Sequence, residues 1–179
     1  VLGGLSQAGD YASASKRMWR WRPKSPHEKW ERLPDAPGPG LINQAAAVYR
    51  RAIYVFGGAK GSGKGVANCK SVLRYDCSTQ RWSRLPDLPF ARRCWWAVEV
   101  GNKALLIGGY ADSFQSDVFQ YSFDNHSFSP LNSLSHPVCD AKFFRIGRML
   151  VGAGGEIGDR VRSASTYEYQ LPSSSPVGG

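Results

Sequence analysis

The sequence repeats itself roughly every 46–52 residues, and this repeat constrains the fold more than any other feature. Pairs of glycines end apolar runs, and the spacings between successive pairs are 51 and 46 residues, at Gly57-Gly58, Gly108-Gly109 and Gly154-Gly155. Tyrosines and then a further ring residue follow in phase, at Tyr75, Tyr121 and Tyr167 and at Trp30, Trp82 and Phe128. Features that stay in phase along the chain indicate one structural unit used several times.

Each unit has the pattern of four short strands. In the clearest unit the predicted strands are Cys94–Val100, Ala104–Ile107, Val118–Phe123 and Ser127–Ser129. The second strand is apolar throughout, which is typical of a strand that is covered on both faces. The intervening turns contain Gly, Asn and Asp, and no segment sustains a helical period, so we expect helices to be scarce or absent.

A four-stranded sheet that is apolar on both faces cannot bury itself. Packing successive sheets face to face around an axis solves this problem, and the result is a propeller. The paired glycines suit a strand end where backbones approach closely, since a Cβ would clash there. The tyrosines and tryptophans would fill the space between blades with their large flat rings.

The order of apolar run, diglycine, Tyr and Trp resembles the Kelch repeat. The resemblance implies an all-β, Kelch-type β-propeller with about three to three and a half four-stranded blades of an incomplete ring. We assign repeats to residues 30–170, with units at about 30–84, 85–130 and 131–170. Residues 1–29 form an N-terminal segment, for which a remnant of a preceding blade is one interpretation, and residues 171–179 are predicted to be a flexible tail.

An open ring would leave strand edges and apolar faces uncovered. We therefore expect the missing blades to come from sequence absent from this chain or from self-association. The chain does not begin with Met, which favours a fragment or a processed product.

Composition excludes several functional classes. The net charge is +9, but the basic residues are scattered and no nucleic-acid-binding motif accompanies them, so nucleic acid is not expected as a partner. No apolar run approaches the roughly 18 residues of a membrane helix. The four cysteines include no C-x-x-C pair, which argues against a zinc site. We expect no metal and no cofactor, and buried structural cysteines rather than a cysteine nucleophile.

The segment Gly58–Gly65 contains part of a phosphate-binding loop pattern. Gly65 stands where a magnesium-binding Ser or Thr is required, and no helical pattern follows. We therefore interpret it as a long flexible loop. Arg92 and Arg93 precede the first strand of a unit, where an arginine either forms structural hydrogen bonds or contacts a ligand in the central funnel.

Glu156 directly follows a diglycine, and Arg160 and Arg162 follow it closely. In a propeller this loop can lie at one mouth of the central channel. A carboxylate beside a guanidinium can accept a proton, and the arginine can pair with an acidic substrate. The alternative is a surface ion pair of little energetic value.

The Leu-Pro-Asp spacers and the Gly-Gly-Glu segment with its following Arg resemble bacterial Kelch proteins of the N-acetylneuraminate epimerase family. That resemblance implies cofactor-free interconversion of the anomers of an acidic sugar such as sialic acid. Glu156 and Arg162 are the positions that match the family's catalytic pair, with Arg93 and Arg160 as substrate-binding candidates. The other hypothesis is a non-catalytic module that binds a protein partner through its loops, because fold alone does not fix function. The cellular compartment stays undetermined.

Overall fold

The computed structural model describes residues 1–23, 29–62 and 65–171, and these residues are almost entirely β-structure. One short 3-10 helix, Tyr11–Ser13, is the helical element in these ranges, so the expected scarcity of helices is confirmed, and nothing there is suited to crossing a membrane as a helix. In chain order the strands are β1 (Met18–Arg20), β2 (Glu31–Leu33), β3 (Ala45–Tyr49), β4 (Ala52–Phe56), β5 (Ala59–Ser62), β6 (Gly65–Asn68), β7 (Val72–Asp76), β8 (Arg81–Leu85), β9 (Trp96–Val100), β10 (Lys103–Ile107), β11 (Val118–Ser122), β12 (Phe128–Pro130), β13 (Lys142–Ile146), β14 (Met149–Ala153), β15 (Glu156–Gly158), β16 (Val161–Arg162) and β17 (Thr166–Gln170).

Three antiparallel sheets form successive blades. Blade I has the strand order β3-β4-β7-β8 and blade II the order β9-β10-β11-β12, and both are four-stranded. Blade III has the order β13-β14-β17 in the described part of the chain. The first strands of neighbouring blades contact each other, β3 with β9 and β9 with β13, so these strands line the central axis. The predicted propeller arrangement is confirmed.

The four strands predicted in the clearest unit are those of blade II. Their ends differ from the prediction by one or two residues: β9, for example, begins at Trp96 rather than Cys94. Cys94 has a φ of 58°, which is incompatible with a strand. Pro130 ends the outer strand β12. Proline has no N–H to donate, and it is tolerated here because an edge strand pairs on one side only.

The continuously apolar strand β10 has two buried faces because a different blade covers each. Ala104 and Leu106 pack into the core between blades I and II. Leu105 and Ile107 pack into the core between blades II and III. The alternating direction of side chains along a strand thus explains why no polar residue interrupts the run after Lys103.

The in-phase tyrosines fill the space between sheets as predicted. Tyr75 and Tyr121 are 1% exposed, and Tyr167 is 6% exposed. The prediction is wrong for Trp30, whose side chain is 55% exposed. Trp30 immediately precedes β2, and the two-stranded β1–β2 sheet has only blade I as a neighbour among the described residues.

The diglycine of blade II lies where neighbouring backbones come close together. Gly108 and Gly109 have φ angles of 61° and 98°. A Cβ on Gly108 would overlap the carbonyl oxygen of Val138, and a Cβ on Gly109 would lie 2.8 Å from the carbonyl oxygen of Arg93. The repeat therefore requires glycine for both its conformation and its space.

The segment before the first full blade contributes a strand. Met18 of β1 and Leu33 of β2 pack against Tyr75 of blade I. Leu171 is buried against the core of blade III. The remainder of the predicted flexible tail, residues 172–179, lies outside the described residues, as does His27.

Candidate ligand-binding site at the mouth of the ring

In each blade, the residue after the diglycine exchanges two backbone hydrogen bonds with a residue that precedes the first strand. In blade II the N–H of Tyr110 donates to Arg93 at 2.8 Å, and that of Arg93 donates to Tyr110 at 3.1 Å. In blade III, Glu156 and Cys139 form the same pair of bonds at 2.8 and 2.9 Å. Blade I repeats the pattern with Ala59 and Ile42. Equivalent backbone positions thus bring one side chain from each blade to the same face of the ring.

Two hairpins follow these positions on the same face. Strands β5 and β6 pair directly after the diglycine of blade I, and β15 and β16 pair after that of blade III. The predicted long flexible loop is therefore wrong for its described residues, because Ala59–Ser62 and Gly65–Asn68 pair as a hairpin. A Cβ on Gly61 would overlap the carbonyl oxygen of Tyr11, so this glycine lets the short helix pack against the hairpin. Gly63 and Lys64 lie outside the described residues. Strand β6 begins at Gly65, where a nucleotide-binding loop would need a helix, and this supports the rejection of that motif.

Arg93 lies between blades I and II and is held from two sides. Its guanidinium donates a hydrogen bond to the Oδ1 atom of Asn68 and stacks on Tyr110, with Cζ 4.3 Å from the ring centroid. Asn68 in turn donates from Nδ2 to the carbonyl oxygen of Ala111 at 2.9 Å. Within the described ranges, no carboxylate lies at ion-pair distance from Arg93. The result is a fixed guanidinium whose charge is available to a ligand.

Arg92, the neighbour of Arg93 in sequence, forms structural hydrogen bonds instead of facing the cleft. It is 4% exposed, and its Nη2 atom lies 2.9 Å from Oδ2 of Asp117. It also donates to the carbonyl oxygen of Gly108 at 3.2 Å and stacks over Phe90. Burial lowers the pKa of the Arg92 guanidinium, and the Asp117 carboxylate opposes that effect. Arg92 is the structural arginine, and Arg93 is the one that faces the site.

Glu156 and Arg162 are brought together by the β15–β16 hairpin. They are cross-strand partners, and Nη1 of Arg162 lies 3.1 Å from Oε1 of Glu156. The Arg162 side chain is 74% exposed, whereas that of Glu156 is 21% exposed. Arg160 occupies the hairpin turn with a φ of 57° and is exposed. The pair is open to solvent on the arginine side and sheltered on the carboxylate side.

Two clefts meet at Arg93 and Tyr110. The cleft between blades I and II has a volume of about 650 Å³ and is also lined by Asn68 and Phe90. The cleft between blades II and III has a volume of about 240 Å³, and its lining includes Glu156. Of the four predicted site residues, Arg93 and Glu156 therefore face a common cleft. We call Asn68, Arg93, Tyr110 and Glu156 the mouth surface.

Cys94 and Cys139 also line the smaller cleft, where they lie together with Asp140. Both cysteines are buried, as predicted. Hydrogen bonding with Cys139 and with Asn43 lowers the pKa of the Cys94 thiol, while the pKa of Cys139 is raised by Cys94 and by burial. The described histidines lie elsewhere: His126 bonds Tyr121 and His136 bonds Ser135.

Sequence reasoning did not select Asn68 or Tyr110. Tyr110 had a usable signal, since it follows a diglycine in the same phase as Glu156. No sequence signal identified Asn68, because it lies in the hairpin of blade I and contacts Arg93 only when the two blades are packed together.

The blades described above define the fold as a β-propeller of the Kelch type. The family model described as the Kelch motif matches residues 41–89, which span blade I. The solved structure titled "Structure of YjhT" superimposes with a TM-score of 0.80 at 17% identity, covering 94% of this chain and 58% of that one. At this identity the likeness shows the fold.

Several curated proteins are similar to parts of this chain. Kelch-like protein 25 of Xenopus tropicalis is 32% identical over 82 residues, which is 46% of this chain and 13% of that protein. The leucine-zipper-like transcriptional regulator 1 homolog of Drosophila melanogaster is 28% identical over 162 residues, covering 82% of this chain and 16% of that protein. Alpha-scruin of Limulus polyphemus is 29% identical over 136 residues, covering 73% and 14%. The chain thus spans less than a fifth of the length of these relatives.

Proposed function

We propose that the chain is a non-catalytic Kelch-type binding module whose mouth surface recognises an acidic segment of a protein partner. The observation that carries this proposal is Arg93, a guanidinium fixed by Asn68 and Tyr110 with no carboxylate partner among the described residues. Kelch-like relatives support a module of this kind. The net charge of +9 favours an acidic partner by attracting it before contact.

The mouth surface has the physical properties of a recognition site. Tyr110 contributes a rigid aromatic face, and its stacking on Arg93 leaves little side-chain entropy to be lost on binding. Arginine and tyrosine, like tryptophan, are enriched at binding hot spots. A carboxylate presented by a partner can accept hydrogen bonds from the guanidinium in the plane that Tyr110 holds.

We expect Arg93→Met to weaken binding of acidic peptides by about 30-fold, the effect of losing a hot spot worth about 2 kcal/mol. The probes are peptides selected on the immobilised protein from a random display library, with affinities measured by titration calorimetry. Arg93→Lys keeps the charge but loses the planar geometry, and should recover only part of the affinity.

Arg81→Met is the matched control, because Arg81 is an exposed arginine on the outer strand β8, away from the mouth surface. It removes the same charge and should leave peptide affinity nearly unchanged. Equal losses for the two variants would mean that net charge alone attracts the peptides. Selected peptides without acidic residues would also contradict the proposal.

A second candidate function is interconversion of the anomers of an acidic sugar, the activity that the epimerase resemblance implies. The observation that favours it is Glu156, a sheltered carboxylate that is paired with Arg162 and faces the same cleft as Arg93. In this mechanism Glu156 moves protons between the anomeric hydroxyl and the ring oxygen. Arg93 and Arg162 hold the sugar carboxylate, and Arg160 lies within the same hairpin.

The test is proton NMR of freshly dissolved N-acetylneuraminic acid. The protein should accelerate the approach to the equilibrium anomer ratio, and Glu156→Gln should reduce that acceleration by about 100-fold or more, as for loss of a general acid–base group. Glu168→Gln is the control, since this carboxylate is exposed on β17 and does not line the cleft. An exchange rate that is the same with and without protein excludes this second function and leaves the binding proposal untouched.

A further inference from the structure

Three potential metal ligands, two buried cysteines and one exposed aspartate, lie together beside the cleft between blades II and III. The Sγ atoms of Cys94 and Cys139 and a carboxylate oxygen of Asp140 all lie within 4.8 Å of one another. Both cysteines are buried and both line the cleft, so an ion could enter from the mouth of the ring. The cluster is invisible in the sequence, because its two thiols are separated by 45 residues.

The backbone holds these ligands in a fixed frame around the axis. Asn43, Cys94 and Asp140 occupy the same position in successive blades, with φ angles of 54°, 58° and 57°. The N–H of Cys94 donates to the carbonyl oxygen of Asn43 at 2.9 Å, and that of Asp140 donates to Cys94 at 2.8 Å. Cys139 is the residue before Asp140, and its own backbone bonds to Glu156. The backbone hydrogen bonds between adjacent blades therefore hold Cys94, Cys139 and Asp140 in a constant relative orientation.

Cysteine is an unusual residue at position 94, because the backbone there has a positive φ. Asn and Asp are enriched at positive φ, and they occupy the other two positions of this ring. Cysteine has no such preference, and strained backbone positions cluster at functional sites. The Nδ2 atom of Asn43 donates a hydrogen bond to the Cys94 sulfur at 2.9 Å, as outer-shell groups do towards metal-bound ligands.

We propose that Cys94, Cys139 and Asp140 bind a zinc ion that clips blades II and III together beside the axis. Thiolates with a carboxylate suit Zn²⁺. Its tetrahedral bonds of about 2.0–2.3 Å require donor atoms roughly 3.5–3.8 Å apart, which is within the 4.8 Å limit that holds for this cluster. Binding breaks the two S–H bonds, forms two Zn–S bonds and releases the two protons to solvent. The fourth position opens to the cleft and is left for water.

The test compares cysteine alkylation with and without zinc in the reduced full chain. Zn²⁺ should slow iodoacetamide labelling of Cys94 and Cys139, read out residue by residue by mass spectrometry, while Cys69 and Cys77 serve as internal controls. A chelator should reverse the protection, and Mg²⁺, which prefers oxygen ligands, should not provide it. Equilibrium dialysis should show a single zinc ion per chain.

The variant Cys94→Asn removes one ligand with little risk to the fold, because it installs the residue found at the equivalent position in blade I. It should abolish stoichiometric zinc binding, whereas Cys69→Ser should retain it. Asn43→Ser should weaken binding by about 10–100-fold through loss of the outer-shell hydrogen bond. Unchanged labelling of Cys94 and Cys139 in zinc would overturn the proposal. Stoichiometric zinc bound by Cys94→Asn, or a disulfide between the two cysteines despite added zinc, would do the same.

Discussion

Phe56→Ala should destabilise the protein by about 3–5 kcal/mol, the usual loss for a buried Phe cut back to Ala. Phe56 is 0% exposed and lies in the core between blades I and II. Its ring packs edge-on against Tyr121, with the centroids 5.0 Å apart. The substitution leaves a cavity at the joint between two sheets, which cannot collapse without moving a whole blade. Urea unfolding followed by tryptophan fluorescence measures the effect.

Phe144→Ala is the matched control because it makes the same chemical change at an exposed site. Phe144 lies on β13 and is 65% exposed. Its replacement should change the free energy of unfolding by no more than about 0.5 kcal/mol, as for other surface substitutions. Similar losses for the two variants would mean that blades I and II do not share the packed core described here. A change in the urea m-value would signal altered compactness of the native or denatured state, or loss of two-state behaviour, and neither variant should cause one.

Gly108→Ala should destabilise the protein by about 2–5 kcal/mol. A left-handed conformation costs a residue with a Cβ roughly 1–2 kcal/mol, and forcing atoms into a packed site typically adds about 1–3 kcal/mol. Gly108 incurs both, since its φ is 61° and its Cβ would overlap the carbonyl oxygen of Val138. Val138 lies just before blade III, so relief of the clash requires blades II and III to separate. Urea unfolding of the variant measures the loss.

Gly101→Ala separates the two contributions. Gly101 has nearly the same φ, 64°, but nothing lies within 4 Å of its Cβ position in the turn between β9 and β10. Its replacement should cost only about 1–2 kcal/mol, the conformational part alone. The difference between the two variants then isolates the close approach of neighbouring backbones. Equal costs would show that the diglycine is needed only for its dihedral angles.

The repeat could be recognised in advance because its signals are local. The diglycine of blade II ends a strand, and the apolar run Ala104–Ile107 fixes that strand's two buried faces. Such features follow from turn chemistry and from the two-residue period of a strand, which neighbouring residues determine. Trp30 matched the same period, yet it is exposed, because burial depends on which sheets lie beside it.

The candidate site was predictable only in part. The hairpin that pairs Glu156 with Arg162 joins residues that are close in sequence, so their proximity could be expected from spacing alone. The different roles of Arg92 and Arg93 could not be predicted in this way, since the two residues are adjacent in sequence. One is buried against Asp117 and the other is stacked on Tyr110, and these partners are set by the loops of the surrounding blades.

By itself, the sequence determined the all-β blades and their phase, because strand periodicity and glycine-dependent turns act over a few residues. Only the tertiary structure decided which side chains share the mouth of the ring. Asn68 meets Arg93 from the neighbouring blade, and Cys94 meets Cys139 across 45 residues of sequence. The physical reason is that packing sheets around an axis places residues about one repeat apart side by side, and no local interaction encodes that contact.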